Sequence, residues 1–465
     1  MAPRRLLRLL PTLLPILALA GPGAARPSAL DTLAERLQRL TENPIVRSGT
    51  VGFYLAPLAH SHLPLLEQQS AQSFIPASAL KTLTTGSALA LLGPDFTFET
   101  RLLYLPLSGD LVIQGSGDPS LGRPHWNALF DRWTLALRAA HIPEITGRIL
   151  ADESAWESQD LPPDWAWTDI GNYYAPPLTP LSFHDNAFRL YFQLQGQPGD
   201  PAPFYDADPW PANLAFDDQV RLGPPGSGDQ AHVVGAPRSR LLSLRGTLAP
   251  DSGKTFIRGA LPDPALFCVQ QFTDWLNARQ IPVHGPPATT RSLPPPTPEN
   301  SVLIATHRSP PLRELLFPIH QRSLNLDCEC LLRTLGQGQA HRGLLRIRQL
   351  LADCGLPLPG YQQTDGSGLS RTNMITPALL ARANAAFLTS PTAALFQDSL
   401  PLLLSDPAPI RAKNGSIHRV RTFTGLVSPA ASPPACFALL INNYDGPTAD
   451  LAPLLDAFFE ALANL

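Results

Sequence analysis

The chain has 465 residues, a formal net charge of −3 and a hydrophobic content of 44%. This composition excludes a polytopic membrane protein and a wholly disordered chain, and the length predicts about two to four domains. Since the net charge is close to neutral and no long basic tract is present, we expect no binding to nucleic acid. The 52 prolines are about twice the average share, and they predict many turns and extended segments between the regular elements.

The N-terminus has the pattern of a secretory signal. Three arginines within the first eight residues precede an apolar stretch at residues 13–19, and small residues follow it. This predicts a signal peptide over residues 1–20, with residue 25 as an alternative end. The apolar stretch is short for a membrane anchor and contains Pro15, so we favour cleavage over anchoring. We therefore expect a periplasmic protein without an integral membrane span.

The first elements after the signal are a helix, a strand and a second helix. Leucines at three- and four-residue steps predict an amphipathic helix that ends near Asn43: Leu30, Leu33, Leu37 and Leu40. Residues 50–55 have the pattern of a strand. A second helical segment begins at Pro76 and ends near Gly93.

Residues 101–299 differ from their surroundings, because they are rich in proline, glycine and aspartate. Three short runs typical of strands lie at 111–114, 188–194 and 241–244. Two helices are predicted, near 127–140 and 264–279. The Pro-Pro-Pro-Thr-Pro run at 294–298 ends this stretch in the manner of a linker.

The last part of the chain is helical from 311 to about 395 and then changes character. Three strands are predicted at 410–413, 420–426 and 436–442, and a helix at 451–462. Neither terminal piece can cover its apolar face alone. We therefore expect residues 26–100 and 300–465 to fold together as one discontinuous domain. Residues 101–299 would be inserted as one or two accessory domains, two being favoured.

Several familiar site motifs are absent or incomplete. The chain has neither a Gly-x-Ser-x-Gly elbow nor a His-Glu-x-x-His zinc motif. We interpret His60-Ser61-His62 as an exposed loop rather than a metal site. Residues 252–255 resemble the end of a phosphate loop, but Leu248 stands where that loop needs a glycine. We expect no metal and no cofactor.

The sequence Ser78-Ala79-Leu80-Lys81 is a better candidate. On a helix, Ser78 and Lys81 share a face, and the helix N-terminus presents amide groups that could hold an oxyanion. Alone the pattern is weak, since a capping serine followed by a solvated lysine looks the same. The interpretation of Ser78 as a nucleophile gains support from two later patterns, Ser-Leu-Asn at 323–325 and Lys-Asn-Gly-Ser at 413–416. The chain has only three lysines, and two of them fall within these candidate motifs.

The three patterns occur in the order Ser-x-x-Lys, Ser-x-Asn and Lys-x-Gly, which is the order in class A β-lactamases and penicillin-binding proteins. The chain resembles the D-alanyl-D-alanine carboxypeptidase/endopeptidase family, the class C low-molecular-mass penicillin-binding proteins. Further stretches that look like signatures of this family are residues 74–78, 115–121, 174–176, 365–370 and 411–413. The likeness covers essentially the whole mature chain, including the long insertion.

The resemblance implies an α+β fold with a penicillin-binding/serine β-lactamase-like core. That core is an antiparallel sheet with flanking helices plus an all-helical region, and the inserted accessory domains are mostly β. The implied function is an exported serine DD-peptidase that removes terminal D-Ala from peptidoglycan stem peptides; cleavage of D-Ala cross-links stays open. β-Lactam antibiotics would be acylating inhibitors, and the family often forms homodimers. Two alternatives remain: a catalytically weak peptidoglycan-binding scaffold, and a β-lactamase or esterase that uses the same serine.

The resemblance also implies roles for individual residues. Ser78 would be the nucleophile and Lys81 the general base. Lys81 must be neutral to accept a proton, and burial together with a second cation at Lys413 would lower its pKa. Ser323 would relay a proton to the leaving amine. Asn325 would orient Lys81 and the substrate amide.

The third motif would bind the substrate, and Lys413 would attract its carboxylate. The implied substrate-binding residues are Lys413, Asn414, Gly415 and Ser416. The backbone N–H groups of Ser78 and Ser416 would form the oxyanion hole. Asp365 and Ser367 would belong to a supporting loop.

Two positions depart from the family pattern. Leu324 stands where the family often has aspartate, at a position that commonly varies. Asn414 replaces the usual threonine of the third motif, so carboxylate recognition and rate could be altered. Because the nucleophile and both motif lysines are present, we expect an active enzyme.

The five cysteines are odd in number and spread along the second half of the chain, which argues against a disulfide framework. Cys328 and Cys330 would point to different faces of a helix, so a bridge between them is not expected. Two interpretations stay open: one of this pair is bonded to Cys354, or the cysteines are small buried hydrophobes.

Overall fold

The structure is a computed structural model that describes residues 28–465, apart from residues 158, 212, 252, 254, 294–300 and 431. The predicted signal peptide and the proline run at 294–298 lie outside the described residues. Among the residues that are described, no helix combines the length and the apolar character needed to cross a bilayer.

The regular elements follow the predicted order closely. The helices are α1 (Ala29–Glu42), α2 (Lys81–Leu92), α3 (Trp126–Ala139), α4 (Pro264–Asn277), α5 (Leu312–Arg322), α6 (Asn325–Leu335), α7 (Ala340–Asp353), α8 (Pro377–Leu388), α9 (Ala393–Ser399) and α10 (Ala452–Ala463). The strands are β1 (Thr50–Pro57), β2 (Leu66–Gln68), β3 (Glu99–Leu105), β4 (Asp110–Gln114), β5 (Ile149–Asp152), β6 (Ala187–Phe192), β7 (Phe204–Asp208), β8 (Ala215–Asp218), β9 (Arg221–Leu222), β10 (His232–Val234), β11 (Leu241–Arg245), β12 (Thr247–Leu248), β13 (Phe256–Ala260), β14 (Ala288–Thr289), β15 (Val302–Arg308), β16 (Leu402–Leu404), β17 (Ile410–Ile417), β18 (Val420–Val427) and β19 (Ala435–Asn442).

A six-stranded antiparallel sheet joins the two ends of the chain, in the order β16-β17-β18-β19-β1-β2. Strand β1 pairs with β19 along its whole length, from Thr50 opposite Asn442 to Pro57 opposite Ala435. Helices α1 and α10 contact each other and cover one face of this sheet, where Leu33, Phe53 and Phe458 belong to one buried cluster. The two terminal pieces of the chain therefore share a buried cluster.

The other face of the sheet carries an all-helical region. Helix α8 packs on β1, β18 and β19, and α2 and α9 pack on α8. Helices α5, α6 and α7 pack on α2 and complete a second buried cluster. Helix α2 is surrounded by protein, and Gly86 lets the Phe387 ring approach, since a Cβ there would lie 2.3 Å from the ring. Burial on every side of α2 holds the residues at its start firmly in place.

The inserted region forms a five-stranded sheet, β14-β5-β4-β3-β15, and three smaller sheets, with α3 and α4 packed against the buried side. Most of its buried apolar residues form one contiguous cluster between Leu102 and Ile281, while Trp165, Ala175 and Leu178 belong to two smaller clusters. Strand β15 pairs with β3, and Val302 lies opposite Tyr104. The five-stranded sheet therefore extends to Arg308, and the division of the chain into domains stays a prediction.

The structure shows the state of the cysteines and of the close histidine pair. All five cysteines are free, and Cys354 is exposed, so its pairing with Cys328 or Cys330 is not formed. His60 and His62 lie exposed in a turn, as expected. Within the described ranges, no group of histidine, cysteine, aspartate and glutamate side chains could hold a metal ion.

Candidate active site

The candidate nucleophile lies on a tight turn that the central sheet holds in place. Ser78 belongs to a single 3-10 turn, Ala77–Leu80, directly before α2. The Thr422 hydroxyl donates to the carbonyl of Pro76 at 2.6 Å. The Asn442 amide accepts from the Ile75 N–H at 2.7 Å and donates to the Ile75 carbonyl at 3.1 Å. These three hydrogen bonds come from strands β18 and β19, and they tie the segment at the start of the turn to the sheet.

Lys81 is buried directly beside the serine. Its Nζ lies 2.9 Å from Ser78 Oγ, 2.6 Å from Asn325 Oδ1 and 2.7 Å from the Ser367 carbonyl. The side chain is fully buried. Burial lowers the pKa of Lys81, because the ammonium loses its hydration, although several nearby acidic groups oppose this effect. A neutral amine at this position can accept the Ser78 proton.

The second motif lies in the reversal between α5 and α6. Ser323 adopts the left-handed conformation (φ 57°) that ends α5, and α6 begins at Asn325. The Asn325 amide donates to the Tyr174 carbonyl at 2.7 Å, while its oxygen accepts from Lys81. Asn325 is therefore oriented from both sides.

The third motif lies on β17, which packs directly against the nucleophile turn. A Cβ at Gly415 would lie 2.7 Å from the backbone nitrogen of Ser78, so only glycine permits this approach. Lys413 is fully buried, and its Nζ donates to the carbonyl of Asn414 at 2.6 Å and to its side-chain oxygen at 3.2 Å. Burial and the charge of Lys81 lower the pKa of Lys413 to about 7.

A cleft of about 500 Å³ brings these pieces together. Of the predicted residues, Ser78, Ser323, Asn325 and Ser416 line it. Lys81 is in contact with two of these residues. Lys413, Asn414 and Gly415 lie on the strand behind the cleft wall.

The predicted supporting loop is also in direct contact with the site. Asp365 is buried and accepts hydrogen bonds from the backbone of Gly368 and Ser370, both at 2.7 Å, and from the Trp165 indole at 2.9 Å. Ser367 reaches Lys81 through its backbone carbonyl rather than through its hydroxyl. Asp365 thus fixes the loop, and Ser367 supplies the contact.

Motif reasoning missed a charged group next to the site. The Arg123 guanidinium donates to both carboxylate oxygens of Asp327, at 3.0 and 3.2 Å, and also contacts Asp185. These two carboxylates hold the pKa of Arg123 above its usual range against the effect of burial. Arg123 follows the 115–121 signature directly, but nothing in the sequence connects it to a residue 204 positions away.

Comparison with known proteins assigns the family. Residues 33–453 match the model of the D-Ala-D-Ala carboxypeptidase 3 (S13) family. A D-alanyl-D-alanine carboxypeptidase of Actinomadura sp. (strain R39) is 24% identical over 92% of this chain and 84% of the relative. D-alanyl-D-alanine carboxypeptidase DacB of Haemophilus influenzae is 25% identical over 86% of each chain.

The fold has a solved counterpart as well. The crystal structure of penicillin binding protein 4 (dacB) from Haemophilus influenzae superposes with a TM-score of 0.77 at 21% identity, over 92% of this chain and 99% of that one. The predicted resemblance and the α+β fold are thereby confirmed. Since the family match spans nearly the whole described chain, the protein belongs to the D-Ala-D-Ala carboxypeptidase 3 (S13) family.

Proposed function

We propose that this protein is an exported serine DD-peptidase that removes the terminal D-Ala of peptidoglycan stem peptides through an acyl-enzyme on Ser78. The observation that carries the proposal is the 2.9 Å contact between Ser78 Oγ and the buried Lys81 amine. A nucleophile needs a base within hydrogen-bond reach, and the base must be able to exist without a proton. Lys81 meets both requirements.

Acylation would begin when Lys81 accepts the Ser78 proton and the serine oxygen attacks the carbonyl of the penultimate D-Ala. Negative charge then develops on that carbonyl oxygen, where the N–H groups of Ser78 and Ser416 would stabilise it. Collapse of the tetrahedral intermediate breaks the C–N bond, and Ser323 would pass a proton to the leaving D-Ala nitrogen. Water then attacks the ester, returns a proton to the serine and releases the shortened peptide.

Substrate recognition would depend on the terminal carboxylate. Lys413 is the cation of the third motif, and Gly415 lets β17 lie close enough to the nucleophile turn for an extended peptide to pair with the strand. Asn414, Gly415 and Ser416 would contribute the strand edge. Cross-link cleavage uses the same acyl chemistry with a longer leaving group, and we propose it as a second reaction.

The proposal also covers inhibition by β-lactams and location in the periplasm. A structure of Haemophilus influenzae penicillin binding protein 4 contains a β-lactam, and we expect β-lactams to acylate Ser78 here too. The predicted signal peptide would place the protein in the periplasm, where its substrate is found. A homodimer stays part of the proposal without an interface assigned to it.

Two measurements test the proposed function. Intact-mass spectrometry after incubation with benzylpenicillin should show one adduct per chain, and Ser78→Ala should show none. A D-Ala-D-Ala peptide should release free D-Ala with the unmodified protein. A stable adduct without D-Ala release would instead favour the scaffold alternative, and rapid loss of the adduct would favour a β-lactamase.

A further inference from the structure

A buried carboxylate lies beneath the general base, outside the three motifs. Glu329 is on α6, four residues after Asn325, and its side chain is fully buried. Residues four apart on a helix share a face, so Glu329 and Asn325 point in the same general direction. The residues that line the cleft do not include Glu329, and a substrate in the cleft would not touch it.

Glu329 holds the backbone of the supporting loop. Its Oε1 accepts the N–H groups of Gly366 and Ser367, both at 2.9 Å. The carbonyl of that same Ser367 accepts from Lys81 Nζ at 2.7 Å. One face of α6 therefore determines two of the three contacts of Lys81: Asn325 makes one directly, and Glu329 sets the other through the loop.

The supporting loop lies in close contact with the elements on both of its sides. A Cβ at Gly366 would lie 2.5 Å from the carbonyl oxygen of Cys328, and one at Gly368 would lie 1.9 Å from that of Ala77. The loop is thus pressed between α6 and the nucleophile turn. Two hydrogen bonds to one carboxylate oxygen require both adjacent N–H groups to point at Glu329, so they select one orientation of the Gly366–Ser367 backbone.

The second carboxylate oxygen of Glu329 does not contact the loop backbone. Oε2 has no hydrogen-bond partner among the described residues, and its nearest cation is Arg333 Nη1 at 3.6 Å. An ion pair at this length, with Arg333 itself short of partners, is a weak reason to bury a carboxylate. The contacts of Oε1 are the specific ones.

We propose that Glu329 is a positioning residue for Lys81: it orients the Ser367 carbonyl, and that carbonyl holds the general base against Ser78. The inference rests on the proposed function, in which Lys81 takes the serine proton. Because Glu329 does not reach the cleft, its loss should impair the chemical step and leave substrate binding unchanged.

Two substitutions separate positioning from packing. Glu329→Gln keeps an acceptor oxygen for both amides and removes the charge, whereas Glu329→Leu removes the acceptor. We expect kcat for D-Ala release to stay within about threefold in the glutamine variant and to fall roughly 10²-fold in the leucine variant, the size of effect that a small misplacement of a catalytic group causes. KM should stay within about twofold in both, since ground-state contacts are intact.

Leu331→Ala is the matched control, because it truncates a buried residue of the same helix. It should lower the melting temperature and leave kcat unchanged. If the leucine variant does not fold, Glu329→Asp, which is too short to reach both amides, should show the same loss of kcat. A leucine or aspartate variant with unchanged kcat, or a glutamine variant as slow as the leucine variant, would overturn the proposal. If the unmodified protein itself releases no D-Ala and forms no penicillin adduct, the proposed function fails instead.

Discussion

Two lysines with different tasks lie close together at the site, and their environment sets their charges. In the proposed mechanism, Lys81 has to lose its proton to act as a base, whereas Lys413 has to keep its proton to attract a carboxylate. Burial lowers the pKa of both, and the charge of Lys81 lowers that of Lys413 further. A neutral Lys81 therefore helps Lys413 to remain charged.

The first prediction concerns pH. The pKa of Lys413 is lowered to about 7, so the ammonium is present below pH 7 and is lost as the pH rises above it. We expect KM for a D-Ala-D-Ala peptide to rise at least about tenfold between pH 6 and pH 9, since a hydrogen bond to a charged group is worth about 1.5–3 kcal/mol. Steady-state kinetics across this range measures the effect.

Lys413→Arg provides the control for this pH dependence. An arginine keeps its charge throughout the range, so its KM should not vary with pH, whatever its absolute value. A KM that is equally flat in the unmodified protein would show that Lys413 does not titrate there or does not bind the carboxylate.

The second prediction concerns the departure at Asn414. Its side-chain oxygen accepts from the Lys413 ammonium at 3.2 Å, which competes with a substrate carboxylate for the same cation. Asn414→Thr replaces the amide oxygen with a hydroxyl on a shorter side chain, and this hydroxyl can donate to the substrate. We expect KM for the peptide to fall by about three- to tenfold, the equivalent of one hydrogen bond, with kcat unchanged.

Asn414→Ala separates the two parts of that effect, because it removes the acceptor without adding a donor. The KM of this variant should be intermediate between that of the unmodified protein and that of Asn414→Thr. A rise of KM in the threonine variant would mean that the asparagine amide itself binds the substrate.

At the scale of elements, the site depends on how closely β17 approaches the nucleophile turn. A Cβ at Gly415 would lie 2.7 and 2.8 Å from the backbone nitrogens of Ser78 and Ala79, and neither atom can move away as a flexible side chain could. Gly415→Ala should therefore push the strand from the turn and reduce benzylpenicillin acylation by about 10²-fold. Mass spectrometry of samples quenched at successive times measures the acylation rate.

Gly235→Ala is a suitable control for overpacking at a glycine. A Cβ there would meet a methyl group of Leu242 at 2.1 Å, away from the cleft. We expect it to destabilise the protein by about 1–3 kcal/mol with an unchanged acylation rate. An unimpaired Gly415→Ala protein would show that β17 tolerates displacement.

Some of these elements could be predicted from the sequence, and others could not, for physical reasons. Helix α1 was predicted because its leucines repeat at the helical period, and the three motifs were predicted because the chemistry needs fixed residue types at short spacing. Strands such as β9, β12 and β14, of two residues each, have no pattern of their own, since their pairing partners define them. Glu329 was missed because its two partners are 37 and 38 positions away.

At the scale of the whole molecule, the inserted region completes the site. The Trp165 indole donates to Asp365 at 2.9 Å, and the Tyr174 carbonyl accepts from Asn325 at 2.7 Å. Arg123 makes a third connection, to Asp327 on α6. Asn325 belongs to the second motif, Asp327 follows it on α6, and Asp365 holds the supporting loop. Because the inserted region contacts all three residues, we expect it to unfold together with the rest of the chain as one cooperative unit.

The Arg123–Asp327 pair allows this coupling to be measured. The Asp327 side chain is fully buried and that of Arg123 is 14% exposed, so Arg123→Met leaves a buried carboxylate without its bidentate partner. We expect the free energy of unfolding to fall by about 3–5 kcal/mol, seen as a lower urea midpoint with an unchanged slope. Replacing both residues, Arg123→Met with Asp327→Leu, should recover more than half of the loss, because no buried carboxylate is left unpaired and the other partner of Arg123, Asp185, is partly exposed to solvent.

The exposed pair of Arg189 and Asp208, at 3.5 Å with side chains 48% and 54% exposed, supplies the comparison. Arg189→Met should cost less than about 1 kcal/mol, since solvent screens such pairs. If Arg123→Met unfolds at the same urea concentration as the unmodified protein, the accessory region is not held through this pair. If it splits unfolding into two transitions, the pair is what makes the two regions cooperative, and the loss of D-Ala release should follow the first transition.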